Sequence, residues 1–316
     1  MQNLTTTSEL LLLEFSDIRE LQILHFFVFL AVYATVVTGN LLIIIAVLLD
    51  HHLHTPMYFF LMNLAVLDLS SVSVMVPKAM ANSLLNTSSI SYSGCVAQVF
   101  SYCLFAGSNL AILTVMAYDR YLAICSPLQY KTIMHEGACI QMAASAWISG
   151  TLYAILHTSG TFAITFCSNR INQFFCEVPQ ILKLSCSDLY LIEVGFLILS
   201  GTIAGGCFIF ILITYIQVFA TLLRMPSVQG QKKALSTCLP HLTVVSLFVF
   251  TAIFAYLKPP ANTSSDLNIL LAVIYTVLPP LLNPFIYSMR NKDLKTALLK
   301  LTDFGHFPKP ALAKFF

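Results

Sequence analysis

Apolar residues run along this chain in seven long blocks separated by short polar connectors. The blocks read as Ile23–Leu49, Met57–Met80, Tyr92–Cys125, Cys139–Ala163, Tyr190–Leu223, Ala234–Leu257 and Leu267–Met289. A helix needs about 20 residues to cross the hydrocarbon core of a bilayer, so each block predicts a membrane-spanning helix. Beyond the last block, Leu294, Ala297, Leu298 and Leu301 recur at helical spacing with Lys292, Lys295 and Lys300 among them. That pattern predicts a short amphipathic helix on an anionic inner leaflet, with membrane lipid as a partner. The expected fold is an all-α membrane protein, a seven-transmembrane helix bundle with a short amphipathic C-terminal helix. Residues 1–22 are expected to form an extracellular N-terminus, 23–289 the transmembrane domain, and 290–316 the amphipathic helix and cytoplasmic tail.

Composition supports this: 58% of the 316 residues are hydrophobic, 9% are charged, and the mean hydropathy is +0.82. With the N-terminus outside, the exterior carries Arg19, Lys78, Arg170, Lys183 and Lys258. The interior carries Arg120, Lys131, Arg224, Lys232, Lys233, Arg290, Lys292, Lys295, Lys300, Lys309 and Lys314, an excess that sets the orientation. The sequons at Asn3, Asn86 and Asn262 all fall outside, where they are candidate glycosylation sites. The start, Met1-Gln-Asn-Leu-Thr-Thr-Thr, lacks a basic region followed by an apolar core. The first span is therefore expected to act as an uncleaved anchor at the cell membrane. Cys95, Cys167, Cys176 and Cys186 lie on the outer side, where disulfides form, and allow three pairings. Cys103, Cys125, Cys139, Cys207 and Cys238 lie in the membrane or at its inner face and should stay reduced.

Three features point to mechanism. Asp119 and Arg120 sit together at the inner end of the third span, in Met116-Ala-Tyr-Asp-Arg-Tyr-Leu-Ala-Ile-Cys125. Ionisable residues at mid-membrane cost about 2.5–3.5 kcal/mol each even on lenient scales, so such a pair signals function. Asp68 is a carboxylate near the middle of the second span, with Asn40, Asn109 and Asn283 as natural partners. Either a cation or a proton accompanies it, or it serves as protonated structural glue. In the seventh span, Pro279, Pro280 and Pro284 remove three backbone donors and must loosen the helix; Asn283 or water would then serve the freed carbonyls.

Four stretches, read together, resemble the olfactory receptors among the rhodopsin-like G-protein-coupled receptors. These are Leu53-His-Thr-Pro-Met-Tyr-Phe-Phe-Leu61, the Met116–Cys125 run, Lys233-Ala-Leu-Ser-Thr-Cys238 with His241-Leu242, and Pro280-Leu-Leu-Asn-Pro-Phe-Ile-Tyr-Ser-Met-Arg-Asn291. The resemblance implies disulfides Cys95–Cys176 and Cys167–Cys186. It implies a lock, Asp119–Arg120, whose opening admits a heterotrimeric G protein of the olfactory stimulatory type and raises cyclic AMP. Tyr215 and Tyr287 would turn inward to stabilise the released Arg120, with Asn283 and Pro284 in the moving half-helix.

The chain also departs from the family pattern. Asn109 stands where the family usually has Glu, which leaves any cation site around Asp68 one charge weaker. Gln173-Phe-Phe-Cys176-Glu177 replaces a His-containing run proposed as a metal site, so no metal is expected. Phe248-Val-Phe-Thr251 lacks a common Tyr, and Pro240 stands where Ser is frequent.

The ligand site is expected between helices in the outer half of the bundle. Its wall would comprise Tyr102, Cys103, Ala106, Gly107 and Leu110 on the third span, and Val249, Ala252, Ile253 and Tyr256 on the sixth. By analogy with the family it resembles, Leu199 and Ile203 on the fifth and Val273 and Thr276 on the seventh would complete it. The wall is almost wholly apolar and lacks a counter-ion at Tyr102, so a charged amine would lose several kcal/mol on desolvation. The expected ligand is a small, neutral, largely apolar volatile odorant with one hydrogen bond to Tyr256, Tyr102 or Thr276. A transporter would show paired halves with broken helices in both. A retinal protein needs a lysine in Leu267–Met289, which has none. No nucleophile–base or metal-ligand cluster indicates an enzyme, and neither a cofactor nor a nucleic-acid partner is expected.

Overall fold

The seven blocks fold as seven long helices in a computed structural model. It describes residues 9–13, 18–186, 190–224, 227–256 and 265–302, leaving aside the side chains of 190, 233, 237, 251–256, 265–272, 289–290 and 302. The spans are α1 (Arg19–Leu49), α2 (Pro56–Leu85), α3 (Tyr92–Cys125), α5 (Glu136–Phe162), α7 (Tyr190–Arg224), α8 (Val228–Tyr256) and α9 (Ser265–Arg290). Short helices α4 (Pro127–Ile133) and α6 (Val178–Leu182) lie in connectors, and α10 (Lys292–Thr302) follows α9. Among the described residues six helices are long and apolar enough to cross a membrane, and α9 adds the shorter apolar stretch Val273–Ser288.

Several helices outrun the apolar blocks that announced them. Hydropathy marks contact with lipid, whereas the helical ladder continues wherever caps and partners allow. Arg19 opens α1 by donating to the carbonyls of Ser83 and Leu84 at 3.0 and 2.7 Å. α2 runs on to Asn86, which closes it in the left-handed conformation (φ 53°) that Asn tolerates. At the inner side, Ser227 Oγ accepts from the Gly230 N–H at 3.2 Å and starts α8 before its apolar stretch.

α3 is the central column, packed against α2, α5, α7 and α8. Its contact with α5 is close because Gly150 lacks a side chain: a Cβ there would collide with Ser108 Oγ and the Leu104 carbonyl. The largest core cluster fills the inner half, from Ile43 and Leu64 through Ile112 and Met116 to Tyr215 and Tyr287.

The outer face carries strand pairing that the apolar pattern did not predict. β1 (Glu9–Leu11) pairs antiparallel with β2 (Ser89–Ser91), in register Glu9↔Ser91, and Leu11 also bridges to Arg170. The long connector before α7 is fixed by the disulfides Cys95–Cys176 and Cys167–Cys186, each with Cα atoms 5.5 Å apart. Beneath them Phe174 and Phe175 are buried, so the connector forms a roof over the bundle.

The prolines of α9 open its ladder as expected, but the partner differs from the one anticipated. Pro284 has no N–H for the carbonyl of Pro280, one turn earlier. That carbonyl instead accepts from Asn40 Nδ2 of α1 at 3.2 Å. Asn283 is committed elsewhere, donating to Asp68 Oδ2 at 2.7 Å.

Candidate ligand cavity and inner switch

A cavity lies in the middle of the bundle, beneath the roof. α3 contributes Tyr102, Ala106, Asn109 and Leu113; α8 contributes Val244 and Phe248; α9 contributes Tyr275, Thr276, Pro279, Pro280 and Asn283; α2 contributes Leu64, Asp68 and Ser71. The centre of a water molecule can occupy about 40 Å³ of it, room for about two or three waters. Phe175 closes the top between Tyr102 and Tyr275, at ring-centroid distances of 6.2 and 6.1 Å. Tyr275 Oη also donates to Glu177 of the roof, tying the seventh span to the connector.

On the α3 side, the residues lining this cavity differ in part from the wall expected for the ligand. Tyr102, Ala106, Asn109 and Leu113 form one stripe at i, i+4, i+7 and i+11. Cys103, Gly107 and Leu110 lie one residue further round, about 100° away, and do not line the cavity. Gly107 packs against α5, where an added Cβ would stand 3.1 Å from Tyr153 and 3.3 Å from Gly150. Cys103 belongs to the outer core with Val99 and Ala154. On the fifth span, Leu199 and Ile203 are 52% and 59% exposed and point off the bundle. Val249 packs on the inner core, and Val273 packs beside Val72 and Val76 on one side and Phe174 on the other. The side chains of Ala252, Ile253 and Tyr256 lie outside the described residues, as do Asn3 and Asn262; Asn86 is exposed at the end of α2.

The cavity floor is polar. Asp68 receives Asn283 and a second amide from Asn109. Around it Asn40 Oδ1, Asn109 Oδ1, Asn283 Oδ1, Thr276 Oγ1 and Tyr287 Oη are buried without a protein partner. Buried polar atoms are normally satisfied, so this cluster suits water, a proton on Asp68 or a small cation. Among the described residues no group of His, Cys, Asp or Glu side chains has metal-site geometry.

The inner end holds the Asp119–Arg120 pair. Arg120 Nε donates to Asp119 Oδ2 at 2.9 Å, and Tyr130 of α4 donates to Asp119 Oδ1 at 2.8 Å. Burial and the neighbouring Asp119 charge hold the Tyr130 phenol above its ordinary range. Tyr287, His241 and Asn291 share a small inner cavity with the pair. Tyr215 is hydrogen-bonded to His241 Nδ1 at 2.8 Å, rather than to Arg120. Tyr58 closes the end of α9 by donating to Asn291 Oδ1 at 2.7 Å.

The olfactory receptor family model matches residues 29–303, which carry all of this machinery. The chain belongs to the olfactory receptor family. It is 53% identical over 302 residues to olfactory receptor 14I1 of Homo sapiens, covering 95% of this chain and 97% of the relative. It is 49% identical to human olfactory receptor 14A16 (94% of this chain, 96% of the relative) and 45% identical to olfactory receptor 1G1 of Gorilla gorilla gorilla (95% and 96%). It is therefore a multi-pass G-protein-coupled odorant receptor and not an enzyme.

Some polar contacts of the receptor had no counterpart in the sequence reading. These involve Glu193, His157, Tyr130 and Tyr275, with Glu177 as the acceptor for Tyr275. For Glu193 and His157 the signal was available, since both are ionisable residues inside apolar blocks. The pairing of Tyr275 with Glu177, 98 residues apart, had no local signal.

Proposed function

We propose that the receptor binds a small, neutral, largely apolar odorant between α3, α8 and α9, beneath Phe174 and Phe175. The observation that carries this reading is the cavity lining. Of the described lining residues only Asp68 carries an acid, and it lies at the floor with its carboxylate engaged by Asn283. A cationic ligand would find no spare counter-ion there. Tyr102 and Thr276 offer a hydroxyl each to an alcohol, ketone or ester. The present volume accommodates water, so odorant binding requires the cavity to widen, with α8 and α9 as the moving walls.

Widening at the top of α9 is passed down to Asn283, Pro284 and Tyr287, where the helix is weakest, and then to the Asp119–Arg120 lock. Release of Arg120 admits a G protein of the olfactory stimulatory type, and cyclic AMP rises. A proton or a sodium ion shared by Asp68, Asn109 and Asn283, with Asn40 beside them, favours the resting arrangement. The receptor works in the plasma membrane with its N-terminus outside, a reading supported by the basic residues of the inner connectors and the outer disulfides. Residues 1–22 then lie outside and 290–316 inside, where α10 rests on anionic lipid.

Surface-normalised cyclic AMP in cells exposed to a panel of neutral volatiles tests this. An agonist response lost in Ala106→Leu at unchanged surface density is expected. A receptor whose agonists are indifferent to Ala106, Tyr102 and Thr276 substitutions would place the ligand elsewhere.

A further inference from the structure

The fourth and fifth spans are joined by a buried polar relay that neither the cavity nor the inner switch uses. His157 of α5 bonds through Nδ1 to Glu193 of α7 and through Nε2 to Ser200 Oγ at 2.7 Å. Both His157 and Glu193 side chains are fully buried. The connectivity is that of a hydrolytic triad. Ser200 sits inside a helix, however, where the surrounding N–H groups are spent on the helical ladder and build no oxyanion hole.

The relay has a mechanical setting instead. From Leu191 to Phe210, Glu193 is the one residue of α7 that is buried. Added Cβ atoms at Gly195, Gly201, Gly205 or Gly206 would meet nothing within 4 Å, so little packing holds this half of the helix. Glu193 is seated against Gly160, where a side chain would collide with its Oε2, and that oxygen has no partner of its own. Cys103 and Tyr153 are the titratable groups beside it.

We propose that His157, Glu193 and Ser200 are positioning residues for the odorant site: a polar clasp that sets where the outer half of the fifth span stands against α3 and α5. The proposal rests on the ligand reading above, since α7 packs on α3, which carries one wall of that site.

Cys103 provides a native reporter, being a buried free thiol on the α3 face next to the clasp. The full-length receptor is compared with His157→Leu, Glu193→Leu, the double Leu variant, Gly160→Ala and Glu193→Gln. An impermeant methanethiosulfonate is applied outside, and labelling is read at Cys103 by mass spectrometry, with buried Cys139 and Cys238 as controls. Leaving one member of a buried pair alone is costly, whereas replacing both by apolar groups often restores stability. The double Leu variant should therefore return to the surface while Cys103 labels at least about threefold faster than in the wild type. Gly160→Ala should behave similarly, and Glu193→Gln, which keeps the hydrogen bond, should stay protected. In parallel, an equimolar mixture of straight-chain six- to ten-carbon alcohols, ketones and esters should show a shifted half-maximal concentration in the double Leu variant.

Wild-type labelling and wild-type sensitivity in the double Leu variant would overturn the proposal, leaving the pair with a role in folding alone. Exposed Cys103 with unchanged sensitivity would overturn it too, since α7 would then move without touching the odorant site. A wild type silent to the mixture, with labelling as expected, upholds the clasp and counts against the ligand reading beneath it.

Discussion

Asn40 Nδ2 donates to the carbonyl of Pro280 at 3.2 Å, across 240 residues of chain, and so fills the gap that Pro284 leaves in the ladder of α9. The bond lets the seventh span carry three prolines without exposing that buried acceptor. Asn40→Ala should cost about 1–3 kcal/mol, the penalty for an unsatisfied buried group. A lower thermal midpoint in detergent, with reduced surface delivery, is the expected measurement. An unchanged midpoint would mean that water serves the carbonyl equally well.

The lock has two holds on Asp119, and they differ in kind. Arg120→Ala should abolish odorant-stimulated cyclic AMP while odorant binding persists, because the cavity lies well above it. Asp119→Asn should raise basal cyclic AMP. Tyr130→Phe removes a single hydrogen bond to a charged acceptor, worth about 1.5–3 kcal/mol, and should raise basal signalling less than Asp119→Asn does. Basal activity per surface receptor ranks the three, and a normally signalling Arg120→Ala receptor would sink the mechanism.

Filling a cavity and crowding a helix contact should look different in the same assay. Ala106 lines the cavity, whereas Gly107 lies against Tyr153 and Gly150. Gly107→Leu should overpack α3 against α5 at about 1–3 kcal/mol and lower surface expression. Ala106→Leu should spare expression and lose agonist response. The reverse pattern would show that the ligand occupies the α3–α5 seam.

Asn3 is the sequon expected to be glycosylated most fully, with Asn86 and Asn262 nearer the membrane and used less. Enzymatic deglycosylation should shift the mobility of the wild type and leave a triple Asn→Gln variant unmoved. A surface receptor without glycan would count against an exterior N-terminus.

α10 is tied to the first inner connector by Lys300 Nζ, 3.1 Å from Asp50 Oδ2. Burial would raise the Asp50 carboxyl, but hydrogen bonds from His52 and the Lys300 ammonium outweigh it and hold the group below its ordinary value. A depressed carboxyl stabilises the folded arrangement above the ordinary carboxylate range, and that contribution is lost as pH falls through the lowered value. The protection of the 292–302 amides against exchange, corrected for the intrinsic rate at each pH, should therefore be flat between pH 5 and pH 8, within about half a kcal/mol, and Asp50→Asn should change it only slightly. A large change within that range would rule out Asp50 as the titrating group.

Hydropathy alone was enough to find the spans of this receptor, because a helix in lipid must be apolar along its whole length and no soluble context intervenes. The block at Tyr92–Cys125 coincides with α3 at both ends. Asp68, Asp119 and Arg120 were legible for the same reason: an ionisable residue in an apolar block stands out as a cost. What the sequence left open was rotation and long-range partnering. With every face of a span apolar, periodicity does not say which face meets the cavity, and Cys103, Gly107 and Leu110 were placed about 100° from where packing puts them. Leu199 and Ile203 turn outward from the bundle, which the apolar pattern likewise does not reveal. Partners such as Asn40 with Pro280, Tyr275 with Glu177 and His157 with Glu193 are set by how the helices pack, which brings together polar groups that lie tens to hundreds of residues apart in the chain.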